Sequence, residues 1–536
     1  MNKVIIIFLC FFGLFTASSC KKQLDTTPFN SVTDASAFET ADRCLLSLNG
    51  VYDAAQSGAY TDGSFRGYPF GAANIEQGDC RGEDMLNVQA FFQVTYQATY
   101  NATTANNVAM WNTLYALINK ANVGIDGFRK AGGKNVLTSA VALQYEAECR
   151  FLRAMAHHEL LIHFARPYMD GNGTQLGVPW RDFPINSSDA VNLIRATPRA
   201  TVATIYNNIL TDLDFVETNL TAVPASFVSP ATKNVRVTRA AAVALKMRIK
   251  LHKGDWAGVI TEGNKLIPAT ITPLPWTAPV CPIGSWSLTA NPDGPFADNA
   301  SVESMFSIRN DPLDAPNVNG VLPKMYGGAG FGARGLVSVS PVIWNNAGWL
   351  CTDKRRTSLV AATTNASGNQ SQFSTKYRKY TTSDDFAPQI RYAEVLLTQA
   401  EAEARNAAAV STRAVDLLNI VRNRSLANPA VEQYTAGGFA TKNALIAAIL
   451  LERRIEFLAE GKRWGDISRN AVDPNFTTGG IPAKAVNGID GLANFVCGAG
   501  YTPGQAAIPY SDFRFLWPIP ATEVVQNPIV VQNPGY

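Results

Sequence analysis

Small residues repeated at helical spacing set the strongest limit on what this chain can fold into. Thr238 to His252 carries Ala241, Ala244, Leu245 and Ile249 on one face. Gly254-Asp255-Trp256 then ends that helix and starts a partner that runs to about Leu266. Alanines on the first helix let the second approach closely, so the pattern predicts a helical hairpin. A second hairpin lies towards the C-terminus. Tyr392, Leu396 and Ala400 line its first helix, and Ala414, Leu417, Leu418 and Val421 line the next at i, i+3, i+4 and i+7. A further helix, Asn443 to Glu460, buries Ile446, Ile449, Leu450 and Phe457. Such pairs cannot bury their apolar faces alone and are expected to stack as a short solenoid.

Stacked pairs of this kind resemble tetratricopeptide repeats. Helical spacing also predicts Ala37 to about Ala59, Asn106 to Phe128, Ser139 to Phe164 and Thr201 to Leu220, the last followed by a break at Pro224 and Pro230. Residues 268–389 differ in kind: they are rich in Pro, Gly, Asn and aromatics and carry little periodicity. Long irregular stretches inside a compact chain usually serve function. Trp276, Trp286, Tyr326, Phe331, Trp344 and Trp349 there require burial or a ligand. The expected fold is therefore mostly α, with tetratricopeptide-like helical pairs as a scaffold and a large irregular, loop-rich ligand-binding face. The expected organisation is a signal segment (1–19), a tether (20–37) and one domain (38–536). Within that domain come a helical half (38–267), the aromatic region (268–389), helical repeats (390–470) and a loop-rich end (471–536).

The first residues read as a targeting segment. Asn2 and Lys3 precede an apolar run from Val4 to Phe15, shorter than the roughly 20 residues that span a bilayer. Ala17-Ser18-Ser19 before Cys20 resembles a lipobox, although Ala17 stands where Leu is usual. Cys20 is the expected lipidation site, and each buried acyl methylene contributes about 0.8 kcal/mol to anchoring. The net charge of +3 comes with interspersed signs and no nucleic-acid-binding motif, which argues against nucleic acid as a partner. Cys44, Cys80, Cys149, Cys281, Cys351 and Cys497 lack CxxC spacing. Disulfides and buried thiols remain alternative fates for them.

Motifs that suggest chemistry have plainer explanations. Glu456 and Glu460 are paired carboxylates, as glycoside hydrolysis requires, but Arg453, Arg454 and Arg463 surround them. Nearby cations lower carboxylate pKa values, whereas a general acid needs its own raised. Arg453, Glu456, Glu460, Arg463 and Asp466 are expected to form a structural ion-pair network, and no catalytic residue is expected. His158 and His163 are five residues apart, roughly 140° around a helix, and cannot share a metal. Gly327 to Gly332 reads as a flexible turn. Asp293, Asp298 and Asn299 offer oxygens without the calcium-loop spacing, so calcium is only weakly suggested and no other cofactor is expected.

The C-terminal third reads Arg391-Tyr-Ala-Glu394, Gln399-Ala-Glu401-Ala, Val421-Arg422 with Arg424, and Glu452-Arg-Arg-Ile-Glu456-Phe457. It continues Glu460-Gly-Lys-Arg-Trp464-Gly-Asp466 and ends Asn533-Pro-Gly-Tyr536. Upstream stand Leu24-Asp25 with Pro28, Gly50-Val-Tyr52 and Arg150-Phe-Leu-Arg-Ala154. In order and spacing this resembles the SusD/RagB family of the Bacteroidota across the mature chain. It departs at His157 and His158, where aromatics are common, and at Gly465, where Phe or Leu is. The resemblance implies a surface-exposed outer-membrane lipoprotein, lipid-anchored, that captures oligosaccharides or peptides. It also implies a SusC-like TonB-dependent barrel as partner, capped by the chain as a lid. Alternatives are a surface polysaccharide hydrolase and a scaffold binding only protein. Ligand contacts are expected from Asp79, Arg81, Asp84 and Tyr96, where the family commonly places them, and from Trp286, Tyr326 and Trp344 in the aromatic region.

Overall fold

The computed structural model describes residues 36–221 and 230–536. The signal segment, Cys20, the tether before residue 36 and the break at Pro224 lie outside the described residues.

Most of the main helices begin where a short polar side chain takes up a free N–H of the first turn. Helix α1 (Ala41–Gln56) is capped by Thr40, and α2 (Ala73–Arg81) follows a strand hairpin. Next come α3 (Ala105–Gly133), α4 (Ser139–Phe164), capped by Thr138, and α5 (Val202–Asn219), capped by Thr201. The predicted hairpin is α6 (Arg239–Lys253) and α7 (Trp256–Leu266). Thr238 caps the first, Gly254 closes it in the left-handed conformation at φ 74°, and Asp255 caps the second. Helices α8 (Tyr392–Asn406), α9 (Thr412–Arg422), α10 (Lys442–Glu456) and α11 (Lys462–Arg469) complete the set.

Packing runs pairwise, α3 on α4, α4 on α5, α6 on α7 and α8 on α9, with α7 joining the two hairpins through α8. Ala240, Ala241 and Ala242 are fully buried at these contacts. One apolar core extends from Cys44 to Val530. Helix α10 stops at Glu456, four residues short of expectation. Ala459 and Gly461 both take positive φ and turn the chain into α11.

The irregular region is ordered by short antiparallel pairs. Strand β1 (Gly58–Ala59) pairs with β2 (Phe65–Tyr68), and β3 (Met85–Asn87) with β5 (Val337–Val339). Strand β4 (Ser304–Ile308) pairs with β8 (Ala387–Arg391), and β6 (Val360–Thr364) with β7 (Gln370–Ser374). Two of these pairs join segments far apart in sequence, so they clamp the aromatic region onto the helices. The cysteines divide: Cys351 and Cys497 form a disulfide, while Cys44, Cys80, Cys149 and Cys281 are buried thiols.

Candidate functional site

Asp79, Arg81 and Asp84 sit together on α2 and the segment after it, but they face inward. Asp79 accepts from the Tyr326 hydroxyl at 2.7 Å and from the Gly461 amide at 3.0 Å. Arg81 lies 3.5 Å from the Trp464 ring and 4.9 Å from Trp517, and donates to His163 and to the Phe515 carbonyl. Asp84 takes both Nε and Nη2 of Arg454, and Glu83 takes Arg463. This is a clasp between α2 and the turn before α11. The approach is so close that a Cβ on Gly461 would stand 2.6 Å from the Ile75 Cα. Burial raises Asp79 to about 8 even though both hydrogen bonds favour its ionised form.

The other expected ligand residues divide. Tyr96 is fully buried and donates to the Ala485 carbonyl at 2.7 Å. Trp286 is fully buried beneath Lys233, whose Nζ lies 3.9 Å from the ring centroid. Tyr326 is sealed on Asp79. Trp344 is half-buried between Arg356, Trp349 and Phe495. Six of the seven are thus part of the packed interior; only Trp344 keeps a partly open ring. They were expected at the surface because a sequence shows an aromatic or a carboxylate but not which way it turns.

All five residues of the expected network are paired, with more distant partners than sequence suggested. Arg453 and Arg469 share Asp466, and Arg469 continues to both oxygens of Glu401. Glu456 turns away from its neighbouring arginines towards Arg424 at 2.7 Å, Arg391 at 3.1 Å and Arg355 at 3.0 Å. Glu460 takes Lys376 and Arg391, and Glu303 takes Arg391 and Arg424. Arg463 crosses to Glu83 instead of joining the glutamates. The cations hold Glu456 at about 2 against a strong opposing effect of burial. These side chains tie the irregular region to α8 and α10.

The histidines are likewise engaged. His163 accepts from Arg81 through Nδ1 and reaches Glu159 through Nε2, while His157 bonds the Arg153 carbonyl. Burial lowers His157 and His158 to about 3. The Asn299 side chain is taken up by the Asp384 carbonyl and the Phe386 amide, and Asp298 caps a local turn at Ala300. Asp293 faces Arg378 at 3.7 Å. The weak calcium suggestion therefore has no converging oxygen set there, and no group of three or more metal-ligating side chains occurs among the described residues.

What does remain open is a strip of half-exposed rings and polar groups along the aromatic region. Phe331 is 39% exposed and stacks on Tyr380 at 5.6 Å with an interplanar angle of 14°. Arg334 lies 4.8 Å over the half-buried Phe91 and donates to Oδ1 of the Asn319 side chain. The 317–320 turn presses on β2, bringing in Phe65, 55% exposed, and Arg66, which lies 4.0 Å over Tyr60. On the other side Gln89 donates to Ser367 in the β6–β7 turn, and the Ala366 amide bonds the Gly335 carbonyl. The glycine run is no flexible turn: a Cβ on Gly328 would stand 2.1 Å from the Thr363 side chain, so the loop lies flat on β6. Rings with polar groups between them suit a flat, hydroxyl-bearing ligand. Sequence reasoning missed Asn319, Arg334 and Tyr380 here. The one available signal was the glycine density, which marks close backbone approach.

Two family models match, one described as "SusD family" over residues 351–536 and one as "Starch-binding associating with outer membrane" over 66–251. SusD-like protein P38 of Formosa agariphila is 23% identical, covering all of this chain and 99% of its own length. The chain belongs to the SusD/RagB family. A SusD superfamily protein from Bacteroides fragilis superposes with a TM-score of 0.71 at 25% identity, over 92% of this chain and 99% of the other. A SusD-like carbohydrate binding protein from Bacteroides vulgatus gives 0.70 at 17% identity, over 92% and 98%. The two matched spans meet at the clasp: α2 belongs to one, Trp464 and Arg463 to the other. Phe331 and Arg334 fall between them, in the part of this SusD/RagB chain that neither model matches.

Proposed function

We propose that this protein captures oligosaccharides at the bacterial cell surface and passes them to a SusC-like TonB-dependent transporter, over which it sits as a lid. Cys20 would carry the lipid anchor that holds it on the outer membrane. The observation that carries this reading is the open strip at Phe331, Tyr380, Phe91 and Arg334, where partly exposed rings and polar groups lie together. Family membership supports it. So do the starch-binding description of one matching family and the carbohydrate-binding name of a structural neighbour.

An open strip captures ligand modestly. Shallow sites of this kind reach roughly micromolar to millimolar affinity, about −8 to −4 kcal/mol. The two carboxylic acids raised to about 8, Asp79 in the clasp and Glu76 behind Arg334, are both buried and closed to a ligand, an arrangement that favours binding over hydrolysis. The test is calorimetric titration of residues 21–536 against neutral and acidic oligosaccharides and peptides, with each mixture checked for cleavage. Saturable heat with an oligosaccharide and no products supports capture. Cleavage products would replace it with a hydrolase. Heat only with peptides would change the ligand class, and heat only with the barrel would leave a protein scaffold.

A further inference from the structure

We propose that the ligand of the open strip is an acidic oligosaccharide, bearing carboxylate or sulfate groups that Arg334 and Lys324 receive. This rests on the reading of that strip as the capture site.

Charge on this protein is mostly matched. Most buried arginines of the network meet one or more carboxylates, and the buried arginines that do not, Arg81, Arg199 and Arg356, spend their N–H groups on backbone carbonyls or a histidine. In the strip, two cations without an ion pair are instead partly exposed. Arg334 donates to an amide oxygen of Asn319 and lies over Phe91, and Lys324 donates to the Gly332 carbonyl at 3.0 Å. Neither forms an ion pair among the described residues. The two are held side by side, since the Arg334 amide bonds the Lys324 carbonyl at 2.9 Å.

The acids nearest to the strip do not offset them. Asp62 is taken by Arg66 at the strip's edge, and Asp490 accepts from the amides of Asn365 and Asn369 beyond the hairpin turn. Glu76 interacts with Arg334 from behind, but it is buried, and burial raises it to about 8 against the lowering effect of that guanidinium. Arg334 over Phe91 and the neighbouring Lys324 are therefore two partly exposed cations with no carboxylate in ion-pair contact. A guanidinium already fixed over a ring presents its remaining N–H groups in a plane that suits a carboxylate or sulfate. Phe331 and Tyr380, on the same loop and against it, would take a sugar face.

The experiment titrates residues 21–536 with four probes: a neutral maltooligosaccharide, an oligogalacturonate, a sulfated oligosaccharide of similar length, and a glutamate-rich peptide. Each is run at low and at high salt, for the parent, Arg334→Gln, Lys324→Gln and the double variant Phe331→Ala/Phe91→Ala. Thermal melting establishes that each is folded. The expected result is at least tenfold tighter binding of one acidic sugar than of the neutral one. That preference weakens with salt and is lost in Arg334→Gln or Lys324→Gln, and binding itself is lost in the double aromatic variant. Which acidic sugar binds distinguishes carboxylate from sulfate. Equal binding of neutral and acidic sugars, unchanged in both charge variants but lost in the aromatic one, would overturn the acidic class and keep the strip. Binding that survives the aromatic variant would overturn the strip itself. No sugar binding, or peptide binding in preference, would overturn both.

Discussion

The clasp at Asp79–Asp84 and the strip at Phe331–Arg334 draw on the same residue types and put them to opposite uses. In the clasp, Arg81 is buried against Trp464 with its N–H groups on His163 and the Phe515 carbonyl, while Arg454 meets Asp84 and Arg463 meets Glu83. In the strip, Arg334 lies over Phe91 in the same cation–π manner, yet stays half-exposed and meets no carboxylate. Saturated groups hold a fold together, whereas unsaturated ones at the surface remain available to a ligand. The comparison teaches that residue type does not mark a binding site in this protein; the state of its hydrogen-bond and charge partners does.

The network behind the clasp offers the largest break. Arg391→Ala would leave Glu303, Glu456 and Glu460 buried without their shared partner. Removing one member of a buried pair typically costs about 3–5 kcal/mol. Denaturant unfolding should show a loss of that order, or no cooperative transition at all. Replacing both Cys351 and Cys497 by serine should cost up to about 5 kcal/mol, because their bridge closes a 146-residue separation in the unfolded chain. Unchanged midpoints in either case would mean that these links are passengers of the fold.

Acid should sharpen the comparison from the same side. Cations hold Glu394 and Glu401 at about 2, against an ordinary value of 4.5. A depressed carboxylate stabilises the fold above its unfolded pKa, so that stability is present above about pH 5 and lost as pH falls towards 2. Unfolding free energy measured across this window should decline steeply. Glu401→Gln should be less stable at neutral pH, since Arg469 and Arg405 lose their partner, and its acid slope should be shallower by about one proton. An unaltered slope would remove Glu401 from the account. The smallest effect on stability belongs to the strip. Phe331→Ala removes one exposed ring of a stack worth about 0.5–1.5 kcal/mol. It should scarcely move the melting temperature while weakening oligosaccharide binding about tenfold, roughly 1.4 kcal/mol.

Local physics was legible along the chain, and long-range physics was not. Ser139 to Phe164 begins and ends where its spacing predicts, because apolar periodicity and the Thr138 cap are both local. The α6–α7 hairpin follows from Ala241, Ala244 and Gly254 for the same reason. Charge density groups Glu456, Glu460 and Asp466 in the sequence, yet two partners of the glutamates, Arg355 and Lys376, come from the irregular region, whose course no periodicity announces. Asp79, Tyr96 and Trp286 are of ligand-binding type and are buried all the same. Arg334 was invisible for the converse reason: its significance lies in a missing partner, which only the folded chain displays.

The measurement that tests this contrast most directly is amide hydrogen exchange of residues 21–536 with and without a saturating oligosaccharide. The account predicts new protection at 89–92, 317–335 and 365–369, with the clasp segments 79–84 and 452–466 already slow to exchange and unchanged. Ligand-induced protection confined to the clasp, or lying elsewhere while the strip stays as it was, would contradict it.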